Sequence, residues 1–427
     1  MKHTISPINS IALVDVNNFY ASCEQLFAPQ LEGLPVVVLS NNDGCIIARS
    51  QEAKNLGIPM GAAVHMIKDT LKSQRVQVYS SNYALYGDMS ARVVSVLKRF
   101  TPYLEVYSID ESFLDLTGFP DLHAYSHEIR ETILRWTGLP VSVGIGRTKT
   151  LAKIANRIAK NKPDLEGVFV MPPDPEEILR ELNVKDIWGI GSRIAMRLKK
   201  FDIATALDLK QADPKFIREK LSIVVERTVM ELCGTPCLSL EINPPMQKGI
   251  MVSRSFGKRV TNYSHLKAAV ATYASRASEK LRRQGLAANK LTVSLRTSPF
   301  DISQERYANA TSFVFPEATM NTAEMIQAAG SCLRKIHKPG LAYQKAGVFL
   351  NDLEDSQLAQ RSLFSAPTAE RAKTNALMQI VDQLNTTWGR DTVRFAATGK
   401  KQHWAMKQGH KSPCYTTRWK ELKQVRS

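Results

Sequence analysis

The chain has 427 residues, enough for roughly two to four domains with cores of their own. Its 57 Lys and Arg against 40 Asp and Glu give a net charge of +17 and a pI near 9.6, which favours a polyanionic partner. No apolar stretch reaches the length of a membrane span and the N-terminus lacks a signal peptide's apolar core, so no membrane role and a cytoplasmic location are expected. Six scattered cysteines (Cys23, Cys45, Cys233, Cys237, Cys332, Cys414) show neither disulfide nor zinc spacing and fit free thiols in a reducing compartment.

Residues 11–16, IALVDV, read as a short buried strand with Asp15 near its end. Burying an unpaired carboxylate is costly, so that acid needs a reason. Apolar runs at 35–39, 141–145 and 168–171 alternate with helical patterns, which makes residues 1–173 one α/β or α+β unit. Within it, 106–116 reads as two strand segments with Asp110 and Glu111 side by side between them. Neighbours on a regular strand face opposite ways, so a bend is expected there to turn both carboxylates toward one site. Converging carboxylates suit Mg²⁺, and two such ions roughly 4 Å apart can activate an attacking oxygen and stabilise a leaving one. Turn caps or salt bridges use the same residues, and spacing alone leaves both readings open. His123 and His127 lack the glutamate of an HExxH pair and read as helix-surface residues.

Pro172, Pro173 and Pro175 mark a boundary, with Asp174 expected as the N-cap of the next helix, Pro175 at its first position and Glu176 and Glu177 in its first turn. In WGIGSRIAMRLKK, Gly189 and Gly191 allow a tight turn whose free N–H groups, at a helix start near Ser192, can hold a phosphate. An ordinary interhelical turn uses the same glycines; Arg193, Arg197, Lys199 and Lys200 favour the phosphate. Residues 234–249 are Pro-rich and irregular, as in a linker. From 246 to 300 stand eleven Lys or Arg, Arg254, Lys258 and Arg259 among them, against the single acid Glu279. That stretch is the expected nucleic-acid footprint, with a helix near 265–284 and strands near 291–296 and 346–350. Beyond 351 the sequence is polar and patternless, then basic, so the tail is expected to be partly disordered until a partner orders it.

The strings DVNNFYASCEQLF, LSNNDGCIIARSQEAKNLGIPMG, SSNYALYGDMS, YSIDESFLDLTG, GIGRTKTLAKIAN and WGIG, in this order and followed by SRSFGKRV, RTSPF, YQKAGV and SPCYTTRW, resemble the Y-family translesion DNA polymerases over nearly the whole chain. The resemblance implies an α+β multidomain right hand: a ferredoxin-like palm (1–18 and 84–173), small fingers (19–83), a helical thumb with a helix-hairpin-helix (174–236), a linker (237–250), an α/β little finger (251–350) and a C-terminal tail (351–427) with a clamp motif and a partner-binding region. The implied activity is error-prone addition of deoxynucleotides opposite damaged template in the SOS response, without a proofreading exonuclease. Asp15, Asp110, Glu111 and the Val16 carbonyl match the ligands of two Mg²⁺ ions. Asn18 and Phe19, through backbone N–H groups, with Lys54 and Lys160, match the triphosphate contacts, and Tyr20 matches the steric gate against ribonucleotides. Gln51 and Lys54 stand where many relatives carry Tyr and Arg, so a fork-like grip becomes a point charge. Lys149 and Lys153 lie near the same site by motif or serve as helix-surface charges. Gly189, Gly191, Arg254, Lys258 and Arg259 are the expected DNA contacts. Implied partners are primer-template DNA, a dNTP, a UmuD′ dimer, a RecA filament and the sliding clamp.

Two other classes compete. A catalytically silent scaffold bridging clamp and damage-response partners is disfavoured by the intact acids, and a two-metal nucleotide cyclase by the basic second half. Gln360, Leu363 and Phe364 in QRSLF fit the clamp-binding pattern. Replacing Leu363 and Phe364 together by Ala is expected to abolish clamp-stimulated primer extension while leaving distributive extension intact; undiminished stimulation would contradict the clamp assignment.

Overall fold

The computed structural model describes residues 9–357, 368–400 and 402–422, without the side chains of 368–372. Gln360, Leu363 and Phe364 lie outside the described residues. No helix among the described residues is long and apolar enough to cross a membrane. The chain is a mixed α+β, multidomain protein that divides into two compact units. One comprises Met1–Ser40, Gly44–Pro244 and His410–Ser427, the other Asn41–Asp43 and Pro245–Gly409.

The first unit contains β1 (Ile11–Val16), α1 (Phe19–Leu26), β2 (Val36–Leu39), β3 (Ile46–Arg49), α2 (Gln51–Asn55), α3 (Val64–Ser73), β4 (Gln77–Ser80), α4 (Tyr83–Leu97), β5 (Leu104–Val106), β6 (Glu111–Asp115), α5 (Leu122–Thr137), β7 (Val141–Gly146), α6 (Lys149–Asn161) and β8 (Val168–Val170). Five strands form one sheet in the order β5-β6-β1-β7-β8, and β3-β2-β4 form a smaller one. In the larger sheet β1 is central and antiparallel to both neighbours. Strand alternation sends Ala12, Val14 and Val16 into a core with Val93 of α4 and Ile129 and Ile133 of α5. It sends Leu13 and Asp15 to the other face, where Leu13 packs on Phe113 and on Ala152 of α6. α6 lies directly on β7: a Cβ added at Gly144 would come within 1.9 Å of the Asn156 backbone nitrogen. Asn156 completes that contact by donating to the carbonyls of Leu13 at 3.1 Å and Ser142 at 2.8 Å.

A helical segment follows: α7 (Glu176–Glu181), α8 (Ser192–Lys199), α9 (Ala206–Gln211), α10 (Pro214–Lys220) and α11 (Ile223–Leu232). Pro175 stands just outside α7 rather than at its first position, while the Asp174 carboxylate still accepts the Glu176 N–H at 3.2 Å. The irregular stretch after α11 is pinned to the unit at its start. Buried Glu231 accepts the N–H groups of Cys237 and Leu238, and the Ser239 carbonyl accepts Lys149 Nζ at 2.8 Å.

In the second unit β9 (Gly249–Val260), β10 (Leu286–Thr297), β11 (Ala308–Thr319) and β12 (Tyr343–Asp355) form an antiparallel sheet in the order β11-β10-β12-β9. Its buried face, including Leu291, Val293, Val348 and Val252, packs against α12 (Tyr263–Arg283) and α13 (Thr322–Ile336). The described part of the tail carries a helix that the sequence reading did not include. Residues 368–387 form α14 (Thr368–Thr387), held by a two-pronged ion pair in which Arg282 of α12 donates to both Asp382 oxygens at 2.7 and 2.8 Å. Trp404 is buried with Phe256 and Tyr273 around it. The chain then returns to the first unit at His410.

Candidate active site

Register places Asp15 on β1 opposite Glu111 on β6, and the Val16 N–H donates to the Asp110 carbonyl at 2.9 Å. The expected bend is present. The N–H groups of Tyr107 and Ser108 both donate to the Glu111 carbonyl at 3.1 and 3.0 Å, and the Ser108 hydroxyl donates to Asp110 Oδ1 at 2.6 Å while accepting the Glu111 N–H at 3.0 Å. The three acids thus stand together at one end of the two central strands.

α6 supplies the balancing charge from residues seven apart, two turns on one helix face. Lys160 Nζ lies 2.5 Å from Asp15 Oδ1, and Lys153 Nζ lies 2.8 Å from Glu111 Oε1. Burial pushes the Asp15 carboxyl up to about 6; Lys160 pulls it down, and Glu111 and Asp110 add to the upward push. Lys153 also sits 4.7 Å from the Tyr107 ring centroid, 5.1 Å from Trp188 and 5.7 Å from Phe113, so it is held between an acid and three aromatic rings. Lys149 is buried and pairs with Glu105 at 2.5 Å, which makes it an internal structural cation and not a helix-surface charge.

Among the described residues no three His, Cys, Asp or Glu side chains converge as a ready cage for a metal ion, because Asp15 and Glu111 each turn to a lysine. The donor chemistry nevertheless fits a hard dication: carboxylate and carbonyl oxygens on adjacent strands, one of them a carboxyl whose charged form is penalised by burial and by two neighbouring acids.

Just past β1, Asn18 takes a left-handed conformation (φ 52°, ψ 34°), which an Asn tolerates, and α1 starts at Phe19. The first-turn N–H groups of α1 have no partner within the helix and carry its positive end. Phe19 is buried. Tyr20 is partly exposed and stacks on Tyr86 of α4 with centroids 4.3 Å apart and planes 15° apart, while Tyr83 meets it edge-on at 6.1 Å. Its hydroxyl is pushed above its ordinary pKa by burial first, then by Tyr83 and Asp110. Lys54 of α2 belongs to the same electrostatic neighbourhood: burial, then Lys160 and Arg49, push its ammonium below the usual lysine range, and Asp15 opposes them. Gln51 instead donates to Asn55 on its own helix.

Sequence reasoning missed Arg49, whose guanidinium donates to the Ile58 carbonyl; a single Arg ending an apolar strand carries no distinguishing signal. It also missed Tyr86, although Tyr83 and Tyr86 stand three apart on one helix, the spacing at which rings meet.

Gly189 has φ of 85° and Gly191 is the N-cap of α8, and a Cβ at either would meet no atom within 4 Å, so the backbone there is open to approach. The adjoining Trp188 meets Tyr107 edge-on at 5.5 Å, which ties this turn to the hairpin of the acids. In the second unit the expected basic residues separate. Arg254 is in phase with Val252 and Phe256 on the helix-covered side of β9, Arg259 pairs with Asp301, and Lys258 is exposed. The opposite, open face carries Arg296 and Lys345, paired in register on β10 and β12.

The family model described as the impB/mucB/samB family matches residues 14–157, and the model of that family's C-terminal domain matches residues 247–363. Protein UmuC of Salmonella typhimurium is 45% identical over 97% of this chain and 100% of its own length. The chain belongs to the impB/mucB/samB family. Protein ImpB of Salmonella typhimurium is 43% identical over 96% of this chain and 98% of its own, and DNA polymerase IV of Pelotomaculum thermopropionicum is 28% identical over 90% and 94%. The chain is thus a UmuC-like member of the Y-family polymerases. A domain of unknown function matches residues 375–425.

In this UmuC-like chain, a carboxyl raised to about 6 in the folded state binds its proton more tightly than in the unfolded state. Its contribution to stability is therefore full below the ordinary carboxylate range and is lost as pH rises through about 6. In metal-free buffer, Asp15→Asn should gain stability relative to the native chain between pH 4 and pH 8, by on the order of 1 to 3 kcal/mol in denaturant unfolding. A difference independent of pH would contradict the charged, buried placement of Asp15.

Proposed function

We propose that the chain is an error-prone translesion DNA polymerase of the SOS response, adding deoxynucleotides opposite damaged template by two-metal phosphoryl transfer. The observation that carries this reading is the pairing of Asp15 with Glu111, and of Val16 with Asp110, beside the open start of α1 and the Tyr20–Tyr86 stack. On this reading residues 1–18 and 84–173 are the palm, 19–83 the fingers, 174–236 the thumb, 237–250 the linker, 251–350 the little finger and 351–427 the tail. Asp15, Asp110, Glu111 and the Val16 carbonyl would hold the metal. Two Mg²⁺ ions bound there would lower the pKa of the primer 3′-hydroxyl and neutralise charge on the triphosphate.

The chain's own groups do the rest. The amides of Asn18 and Phe19 take phosphate oxygens at the positive end of α1, and Lys160 and Lys54 place cations on the triphosphate. Lys160 is suited to exchange its carboxylate for a phosphate, since it is the more exposed member of its pair. The Tyr20 ring lies under the incoming sugar, where a 2′-hydroxyl would collide. Gly189, Gly191, Arg254, Lys258 and Arg259, together with Arg296 and Lys345, grip DNA through its backbone and not its sequence. A UmuD′ dimer, a RecA filament and the sliding clamp, the last bound through Gln360, Leu363 and Phe364, are the proposed partners.

Primer extension past an abasic site, with Mg²⁺ and the UmuD′ and RecA partners, tests the reading. Asp110→Ala should lose extension by on the order of a thousandfold or more, because metal charge stabilisation supplies several kcal/mol of the transition-state energy. Equal extension by both chains, or none by either while DNA is still bound, would favour a silent scaffold.

A further inference from the structure

The end of the chain reaches the aromatic stack that carries Tyr20. Glu24 lies one helical turn after Tyr20 on α1 and is 1% exposed. Its Oε1 accepts the Tyr86 hydroxyl at 2.6 Å and the Ser412 hydroxyl at 3.0 Å. Among the described residues the other oxygen, Oε2, is buried without a hydrogen-bond partner, so the described hydrogen bonds to this carboxylate come from those two hydroxyls. Tyr86 is 0% exposed and presents the face on which Tyr20 stacks. A continuous set of contacts therefore runs from Ser412 through Glu24 and Tyr86 to the Tyr20 ring.

Ser412 is itself fixed. The Asn82 amide, which stands at the start of α4, donates to the Ser412 hydroxyl at 2.9 Å and to the carbonyls of Ser412 at 3.1 Å and Pro413 at 3.1 Å. On one side the His410 carbonyl accepts the Ser80 N–H at 3.0 Å and the His410 N–H donates to the Ser80 hydroxyl at 3.0 Å. On the other, Tyr415 stacks on Phe27 at 5.0 Å and 13°. Residues 410–415 thus form a strap from the end of β4 across α4 to the end of α1. This strap falls within residues 375–425, the stretch whose family model is a domain of unknown function.

We propose that the strap is a positioning device for sugar selection: Ser412, acting through Glu24 and Tyr86, holds the Tyr20 ring at the height that excludes a 2′-hydroxyl. The inference rests on the reading of Tyr20 as the sugar gate. Tyr20 is partly exposed on α1, and a ring that discriminates by collision works only if its support does not yield. Tyr86 supplies that support from a buried position, and the strap's Ser412 shares the Glu24 oxygen that accepts the Tyr86 hydroxyl. Ser412, Glu24 and Tyr86 are positioning residues and touch no reacting atom on this account.

The test is single-nucleotide incorporation by the full chain, comparing kcat/KM for a deoxynucleotide with that for the matching ribonucleotide. Ser412→Ala should lower the discrimination ratio by about threefold to tenfold, the range for the net worth of one typical hydrogen bond, while kcat/KM for the deoxynucleotide stays within about twofold. Ser412→Thr, which keeps the hydroxyl, should restore the ratio. Tyr415→Leu, which removes the stack on Phe27, is the second variant and should act in the same direction. If Tyr20→Ala collapses the ratio while Ser412→Ala and Tyr415→Leu keep the wild-type value, the strap has no positioning role. If Tyr20→Ala itself leaves the ratio unchanged, the gate reading fails and the positioning role falls with it.

Discussion

In the first unit β1, β6 and α6 meet at a concentration of negative charge at the end of β1. Asp15, Asp110 and Glu111 are brought together by backbone pairing between β1 and β6, not by a loop free to relax. Charge there is unfavourable by itself: burial first, and then the neighbouring Glu111 and Asp110, push the Asp15 carboxyl upward. α6 answers it with Lys160 and Lys153, and α6 lies close enough to do so because Gly144 leaves room for its backbone. The two lysines differ in kind. Lys153 is locked between Glu111 and three aromatic rings, while Lys160 is the more exposed and has fewer ties, which suits one to a fixed role and the other to exchange.

Around that charge the neighbouring elements each present a different chemistry to the same space. The start of α1 offers backbone N–H groups and a positive end, α2 offers Lys54, and the tyrosines of α1 and α4 offer a flat apolar surface. On the proposed reading the first two suit a triphosphate and the third a sugar, while the acids suit a dication. The Trp188 turn, with its open glycine backbone, contacts the hairpin that bears the acids, so on the proposed reading the turn that would grip the nucleic-acid backbone and the acids share one support. The second unit contributes a sheet with one face buried under helices and the other carrying Arg296 and Lys345.

What could be read from the sequence was what a short window holds. The strand around Asp15 stood out because an acid is out of place in an apolar run, and the bend at Asp110 and Glu111 followed from two adjacent acids. The strap did not, since Ser412 and Glu24 are 388 residues apart and no local pattern links them. α14 escaped notice for another reason: its described contact with α12 is an ion pair between Arg282 and Asp382, not an apolar stripe. Arg254 was grouped with its basic neighbours by composition, whereas strand phase, visible in the Val252 and Phe256 alternation, sends it to the opposite side from Arg296 and Lys345. Whether Lys149 was a site residue or a surface charge stayed open because its partner, Glu105, lies on a strand 44 residues earlier.

The central claim is that these three acids form a metal site, and metal binding itself tests it most directly. Mn²⁺ can be titrated into the full chain with primer-template and a non-hydrolysable deoxynucleotide, with free ion followed by electron paramagnetic resonance. The account predicts two bound ions per wild-type chain and loss of both in a chain carrying Asp15→Asn, Asp110→Asn and Glu111→Gln together. Identical binding curves for the two chains would contradict it.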